Sequence, residues 1–225
     1  MKFPRVLKML GAGVFRLHFS QYGEDVILHK LFGRKFSDGF YVDIGAHHPF
    51  RQSNTAYLWM MGWRGINVDA SQSSIAAFNK TRSGDLNIWS AVVDPATAAA
   101  KTEIELFSSQ DFDLCATCDP ELAKERGALR STVVPCTSLK SIINDRAAKL
   151  TKSIEVMNID IEGFDQAAIA DMAEWAIKPK VICIEIYENS VREVLNSPAC
   201  ALLEGFGYVM VCRVGPTAIF ELRSA

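Results

Sequence analysis

The sequence predicts an α/β fold built on a mostly parallel seven-stranded sheet, with helices on both faces and an antiparallel C-terminal hairpin. Three observations predict it. Short apolar runs alternate with segments of helical periodicity; the runs are too continuously apolar to face water on one side; and two closing segments, 208–214 and 218–222, bracket the turn pair Gly215-Pro216. Strands separated by helices pair in parallel, because each crossover lays a helix on a sheet face and so demands apolar residues on both sides of the strand. At 225 residues, 49% of them hydrophobic, the chain can bury one sizeable core, and 1–225 is expected to form a single domain.

Each element has a local cause. Val26, Ile27, Leu28, Leu31 and Phe32 recur at helical spacing over 21–32, with Ser20 as the N-cap. With the preceding residues this makes 1–36 an N-terminal helical segment. Its first part sets Lys2, Arg5, Lys8 and Arg16 around an apolar stretch too short to span a membrane, and is expected to pack on the domain or lie exposed. Ser37-Asp38-Gly39 breaks the pattern, and 40–44 follows as a short buried strand. Ser53 is placed to cap a helix that Gly62-Trp63-Arg64-Gly65 ends. Strand 66–69, helix 71–81 and strand 86–93 continue the alternation. After a segment over 102–107 that alternates like an edge strand, 108–131 is polar and irregular, an insertion where a substrate lid would sit. A strand over 133–137 leads into a helix over 139–143; a strand over 154–161, a helix over 165–175 and a strand over 181–187 complete the parallel part.

Composition narrows the partners. A formal net charge of −2 provides no field to draw the chain to nucleic acid, so a small or neutral substrate fits better than a polyanion. Six scattered cysteines in a chain of this size read as free thiols in a reducing compartment, and the expected location is cytoplasmic. Cys115 and Cys118 have the spacing of a metal or redox pair but lack the second pair that a zinc site requires.

In a parallel sheet, ligands bind beyond the carboxyl ends of the strands, near the point where strand order reverses. The first strand ends in Asp43-Ile-Gly45-Ala46, where Gly45 allows close approach of the backbone and Asp43 offers an acceptor. Asp69 ends the second strand, placed to accept hydrogen bonds from both hydroxyls of a ribose. A dinucleotide would need a G-x-G-x-x-G turn to receive its pyrophosphate, and here the turn reads Gly45-Ala-His-His-Pro-Phe. That counts against a nicotinamide oxidoreductase. S-adenosylmethionine, a nucleoside joined to an amino acid without phosphate, suits one glycine flanked by carboxylates.

Five motifs in order, Ser20-Gln-Tyr-Gly-Glu-Asp25, Tyr41-Val-Asp-Ile-Gly-Ala-His-His-Pro49, Ser53-Asn-Thr55, Gly62-Trp-Arg-Gly65 and Asn158-Ile-Asp-Ile-Glu-Gly-Phe-Asp165, give a sequence that resembles the FkbM-type methyltransferases. The resemblance implies the Rossmann-like class I methyltransferase fold, S-adenosylmethionine as cofactor, and O-methylation of a sugar or polyketide hydroxyl. It also implies a helix laid over the cofactor by Ser20, Gln21 and Asp25. The expected cofactor contacts are Gln21, Asp43, Gly45, Ala46, His47, Asn54, Thr55, Asp69, Ala70, Ala91 and Asp160. Two departures stand out: His47-His48-Pro49 replaces the Asn and Gly of many relatives, and Asp69 replaces a commoner Glu.

Along the fourth strand, Asn158, Asp160 and Glu162 alternate onto one side, which would place Asp160 and Glu162 beside the transferable methyl. Transfer to a hydroxyl requires the oxygen to be aligned and its deprotonation assisted by a base or a metal. Asp160 is the first candidate, then Glu162, with Glu185 reaching the same rim from the fifth strand. Asp160 and Glu185 are also candidate ligands of a magnesium ion. The leading expectation is therefore an O-methyltransferase for a small molecule or glycan. Alternatives are a methyltransferase acting on a macromolecule, which lacks its Asn-Pro-Pro-Tyr type segment here, and a cofactor-binding regulatory protein without turnover.

Overall fold

A computed structural model describes residues 18–33 and 38–223. Most of the N-terminal helical segment expected over 1–36 lies outside them. The large sheet runs in the order β3-β2-β1-β7-β8-β10-β9. Its parallel strands are β1 (Phe40–Ile44), β2 (Arg64–Asp69), β3 (Leu86–Trp89), β7 (Val156–Ile159) and β8 (Val181–Glu185); β9 (Tyr208–Val214) and β10 (Thr217–Leu222) form the antiparallel hairpin at its edge. The seven-stranded, mostly parallel sheet and its C-terminal hairpin are as the sequence predicts.

Both faces are covered because successive strand residues point to opposite sides. Val42, Ile44, Met157, Ile159, Ile182 and Ile184 join one core with residues of the helical segment 139–150 (α6), α7 (Asp165–Ala168) and α9 (Pro198–Gly205). Tyr41, Val156, Val181 and Cys183 face the other core, with Leu28 of α1 (Glu24–Phe32), Leu58 of α2 (Ala56–Met60) and the buried Trp63. By the same alternation Asp43 and Asn158 face the α1/α2 side. Strand β1 lies between β2 and β7, so the order reverses at β1/β7, and a crevice opens there beyond the carboxyl ends of the strands.

Several elements depart from the sequence reading for identifiable reasons. Helix α1 begins at Glu24 rather than 21, because Ser20 closes a turn: its Oγ accepts from Gly23 N and donates to Asp25 Oδ1, and Gly23 has a φ of 100°. Helix α2 begins at Ala56, since the Ser53, Asn54 and Thr55 side chains bond elsewhere. The strand expected over 86–93 divides at Ser90, whose hydroxyl meets the Pro135 carbonyl. The chain then leaves the large sheet, and β4 (Ala91–Val92) joins β6 (Arg130–Thr137) and β5 (Glu103–Ser108) in a second sheet, order β4-β6-β5.

The insertion 108–131 is also more ordered than expected. It carries α5 (Pro120–Glu125), capped by Asp119 with Pro120 in its first turn. The strand expected over 154–161 stops at Ile159, and the helix expected over 165–175 shortens to α7 and a 3₁₀ turn, Met172–Glu174. Segment 139–150 contains a π-helical stretch, Ile142–Ala147. Helices α3 (Gln72–Thr81), α4 (Pro95–Ala100) and α8 (Val191–Leu195) complete the set; α8 starts with a capping box between Ser190 and Glu193 that the sequence reading missed. Among the described residues, no helix is long and apolar enough to cross a membrane.

Candidate functional site

A cavity of about 360 Å³ lies beyond the carboxyl ends of β1, β2, β4 and β7, at the switch point. Of the residues expected to touch a cofactor, Gln21, Asp43, Gly45, Ala46, His47, Asn54, Asp69, Ala70, Ala91 and Asp160 all line it. Thr55 does not. It is fully buried behind Asp43, so the expectation of a direct cofactor contact is corrected to a bond from below: Thr55 Oγ1 donates to Asp43 Oδ2 at 2.5 Å.

The floor is a set of charges held by the protein's own donors. Asp43 also accepts from Asn158 Nδ2 at 3.0 Å, and Asn158 accepts in turn from Asn54 Nδ2 at 2.8 Å. Burial raises the Asp43 carboxyl above its usual range, while the Thr55 hydroxyl and the Arg82 guanidinium pull it back. Asp69 accepts the backbone N–H groups of His47 and Ser71, one on each oxygen, both at 2.7 Å. A carboxylate oxygen has a second lone pair, so Asp69 keeps acceptor capacity toward the cavity. Burial raises this group as well, with those two amides opposing it.

Gly45 has a φ of 77°, and a Cβ there would overlap the carbonyl oxygen of Asp160. His47 adopts a left-handed φ of 52°, and its Nε2 lies 3.1 Å from the Phe112 carbonyl oxygen. Segment 108–118 of the insertion thereby closes one side of the cavity over an apolar wall that includes Ala70, Ala91, Leu106 and Val134. His48 serves the loop itself, accepting from Phe50 N and Arg51 N.

At the other end, Asp160, Glu162 and Glu185 bring carboxylate oxygens within 4.8 Å of one another. The route differs from the expected strand alternation. The strand ends at Ile159, and Glu162 turns back with a φ of 51°. Glu162 Oε2 accepts from Arg126 Nη2 at 2.7 Å and from the Tyr187 hydroxyl at 2.8 Å, and its carbonyl accepts from Thr117 Oγ1 at 2.6 Å. Tyr187 also contacts Glu185, which is buried and does not line the cavity. Burial first, then the neighbouring Glu185 charge, raises Asp160 well above the usual carboxylate range; burial raises Glu185 too, against the Tyr187 hydrogen bond. Like charges this close resist joint ionisation, which adds to burial in raising both groups.

Four contributors escaped the sequence reading: Arg126 and Tyr187 at the rim, Arg82 beneath the floor, and Asp165. Asp165 had a readable signal, sitting at the end of the Asn158–Asp165 motif. It accepts from Ile161 N at 2.9 Å and Gly163 N at 3.2 Å, and so shapes the turn that carries Glu162. Burial pushes its carboxyl up to about 7. A folded-state value above the unfolded one means that the native state binds the proton more tightly, so stability is lost as pH rises between about 4 and 7. Asp43, Asp69, Asp160 and Glu185 shift in the same direction. The melting temperature is therefore expected to fall from about pH 5 to about pH 8, with a smaller fall in Asp165→Asn, measured by calorimetry across that range. A melting temperature rising over the same interval would refute the assignment.

No curated protein matches the chain. The family model for the methyltransferase FkbM domain matches residues 43–210, starting on the Asp43 carboxylate of the cavity floor and taking in Asp69, the Asp160 turn and the insertion. With well over half of its length inside that match and the cavity at the expected switch point of a Rossmann-like sheet, the chain belongs to the FkbM methyltransferase family.

Proposed function

We propose that this methyltransferase uses S-adenosylmethionine to methylate a hydroxyl of a small molecule or glycan. The observation that carries the reading is one continuous cavity with a nucleoside-type acceptor, Asp69, at one part and Asp160 at another. Its volume, about 360 Å³, falls in the range of small-molecule sites. The lining fits the cofactor: carboxylates at Asp43 and Asp69 suit an ammonium group and ribose hydroxyls, and an apolar wall suits adenine. When bound, the cofactor supplies an electrophilic methyl group on a positively charged sulfur.

The chain's residues would do the rest. Gly45 lets the β1 turn pass close to the cofactor, and the Asp69 lone pairs that face the cavity accept from the ribose. Asp160, made more basic by burial and by Glu185, would in its ionised form accept the proton of the acceptor hydroxyl as the oxygen bonds to the methyl carbon and the carbon–sulfur bond breaks. Glu162, tied by Arg126, Tyr187 and Thr117, holds the insertion against the catalytic turn and acts as a lid anchor. Asp160, Glu162 and Glu185 also form a hard-oxygen donor set that would suit magnesium, although one oxygen of Glu162 and one of Glu185 already accept from Arg126 and Tyr187. The near-neutral charge favours a small acceptor over nucleic acid, and six unpaired cysteines support a reducing, cytoplasmic setting.

Titration calorimetry with S-adenosylmethionine, S-adenosylhomocysteine and NAD is the direct test, followed by a panel of hydroxyl acceptors with and without a chelator. Binding of both sulfur compounds and transfer that survives chelation are expected. Binding of NAD alone would sink the cofactor assignment, and binding without transfer across a broad panel would favour the regulatory alternative.

A further inference from the structure

Arg82, at the C-terminal end of α3, has no solvent exposure. A buried guanidinium must find partners for its donors or bear a large desolvation cost. Its partners converge from the elements that build the cavity floor. Nη1 donates to Thr55 Oγ1 at 2.9 Å and to the Tyr41 hydroxyl at 3.1 Å; Nη2 donates to Ser53 Oγ at 3.2 Å and to the carbonyl of Pro49. The rings of Phe78, Trp59 and Tyr41 surround the guanidinium carbon at 4.9, 5.7 and 5.9 Å.

Proton counting gives this network a direction. Thr55 has one hydroxyl proton and spends it on Asp43 Oδ2, so toward Arg82 its oxygen can only accept. The chain runs from Arg82 N–H to Thr55 O–H to Asp43, and a positive donor at its head polarises the hydroxyl into a stronger donor at its tail. The same guanidinium holds Pro49 and Ser53, two points of the 47–53 loop that follows Gly45 and Ala46.

We infer that Arg82 is a positioning residue for the donor pocket, fixing the orientation of Asp43 through Thr55 and the path of the 47–53 loop through Pro49 and Ser53, so that the pocket is assembled before the methyl donor arrives. This rests on reading the cavity as the donor site. Lysine would not substitute, because its ammonium is a point donor that cannot span acceptors on β1, the loop and the N-cap residue of α2 in one plane.

Calorimetric titration with S-adenosylhomocysteine, paired with thermal melting of each protein, tests the inference. Thr55→Val cuts the link to Asp43 and leaves the other Arg82 partners; it is expected to weaken binding about tenfold, whereas Thr55→Ser, which restores the hydroxyl, stays within about threefold of wild type. Arg82→Lys is expected to weaken binding at least as much as Thr55→Val. Tyr208→Phe is the stability control. The buried Tyr208 hydroxyl donates to the Pro179 carbonyl at 2.6 Å on the edge strand β9, away from the Arg82 network and from the cavity lining, so its loss should lower the melting temperature and leave affinity unchanged. A folded Thr55→Val or Arg82→Lys protein that binds as tightly as wild type overturns the positioning role, as does a Tyr208→Phe protein that loses affinity in proportion to its stability. Wild-type protein that does not bind S-adenosylhomocysteine overturns the donor-site reading itself.

Discussion

Gly45→Ala is expected to cost about 3–5 kcal/mol of stability and to abolish donor binding. Two independent penalties act at this position. The backbone has a φ of 77°, where an L side chain is strained. The new Cβ would overlap the Asp160 carbonyl oxygen and lie 2.7 Å from its carbonyl carbon. Neither side can retreat, because Gly45 N donates to the Val68 carbonyl at 2.9 Å and Asp160 N donates to the Ile44 carbonyl at 3.0 Å. The contact is thus clamped between β2, β1 and β7. His47 and Glu162 show that positive φ alone is tolerated here, so the overlap supplies the larger share of the effect. Urea unfolding gives the stability change and calorimetry with S-adenosylhomocysteine the binding. A variant with wild-type values for both would mean that the β1/β7 clamp is looser than the geometry states.

Asp160→Asn is expected to lower turnover about 10²- to 10⁴-fold, the usual range for removal of a general base. Affinity for S-adenosylhomocysteine should stay close to wild type, because Asp43 and Asp69 are untouched. Stability should move the other way. An ionised Asp160 is unfavourable beside Glu185 and Asp165 in a buried setting, so a neutral amide should hold or raise the melting temperature above neutral pH. Loss of activity in a protein that is no less stable separates a chemical role from a scaffolding one. Unchanged turnover with an acceptor identified by the panel would remove Asp160 from the mechanism and leave Glu162 or Glu185 to be tested in its place.

These two residues show how unevenly the site could be read. Gly45 was legible as a glycine at a strand-to-helix turn, but its steric partner, Asp160, lies in the turn just after β7, more than a hundred residues away, and no local pattern announces that contact. Asp160 was legible from its motif. The expected strand alternation of Asn158, Asp160 and Glu162 was not what formed the cluster; a turn after Ile159 did, shaped by Asp165. Ser53 and Thr55 look like helix caps in sequence, and the fold directs them to a buried guanidinium and a buried carboxylate instead. Arg82 itself carries no signal at all, since one arginine near the end of an amphipathic helix ordinarily faces water.

By itself the sequence determined the parallel sheet, its hairpin edge and the family, because periodicity, turn residues and ordered motifs act over a few residues at a time. It also placed Asp43 and Asp69 at strand ends, since a strand's length and position follow from local burial. Only the tertiary structure decided which charged and polar groups meet: that Arg82 serves Thr55 and the 47–53 loop, that Asp160 faces Glu185, and that the insertion is tied to Glu162 through Arg126. Those pairings depend on which strands and loops the topology brings side by side, and Coulombic and hydrogen-bond energies depend on distances in space that chain separation does not encode.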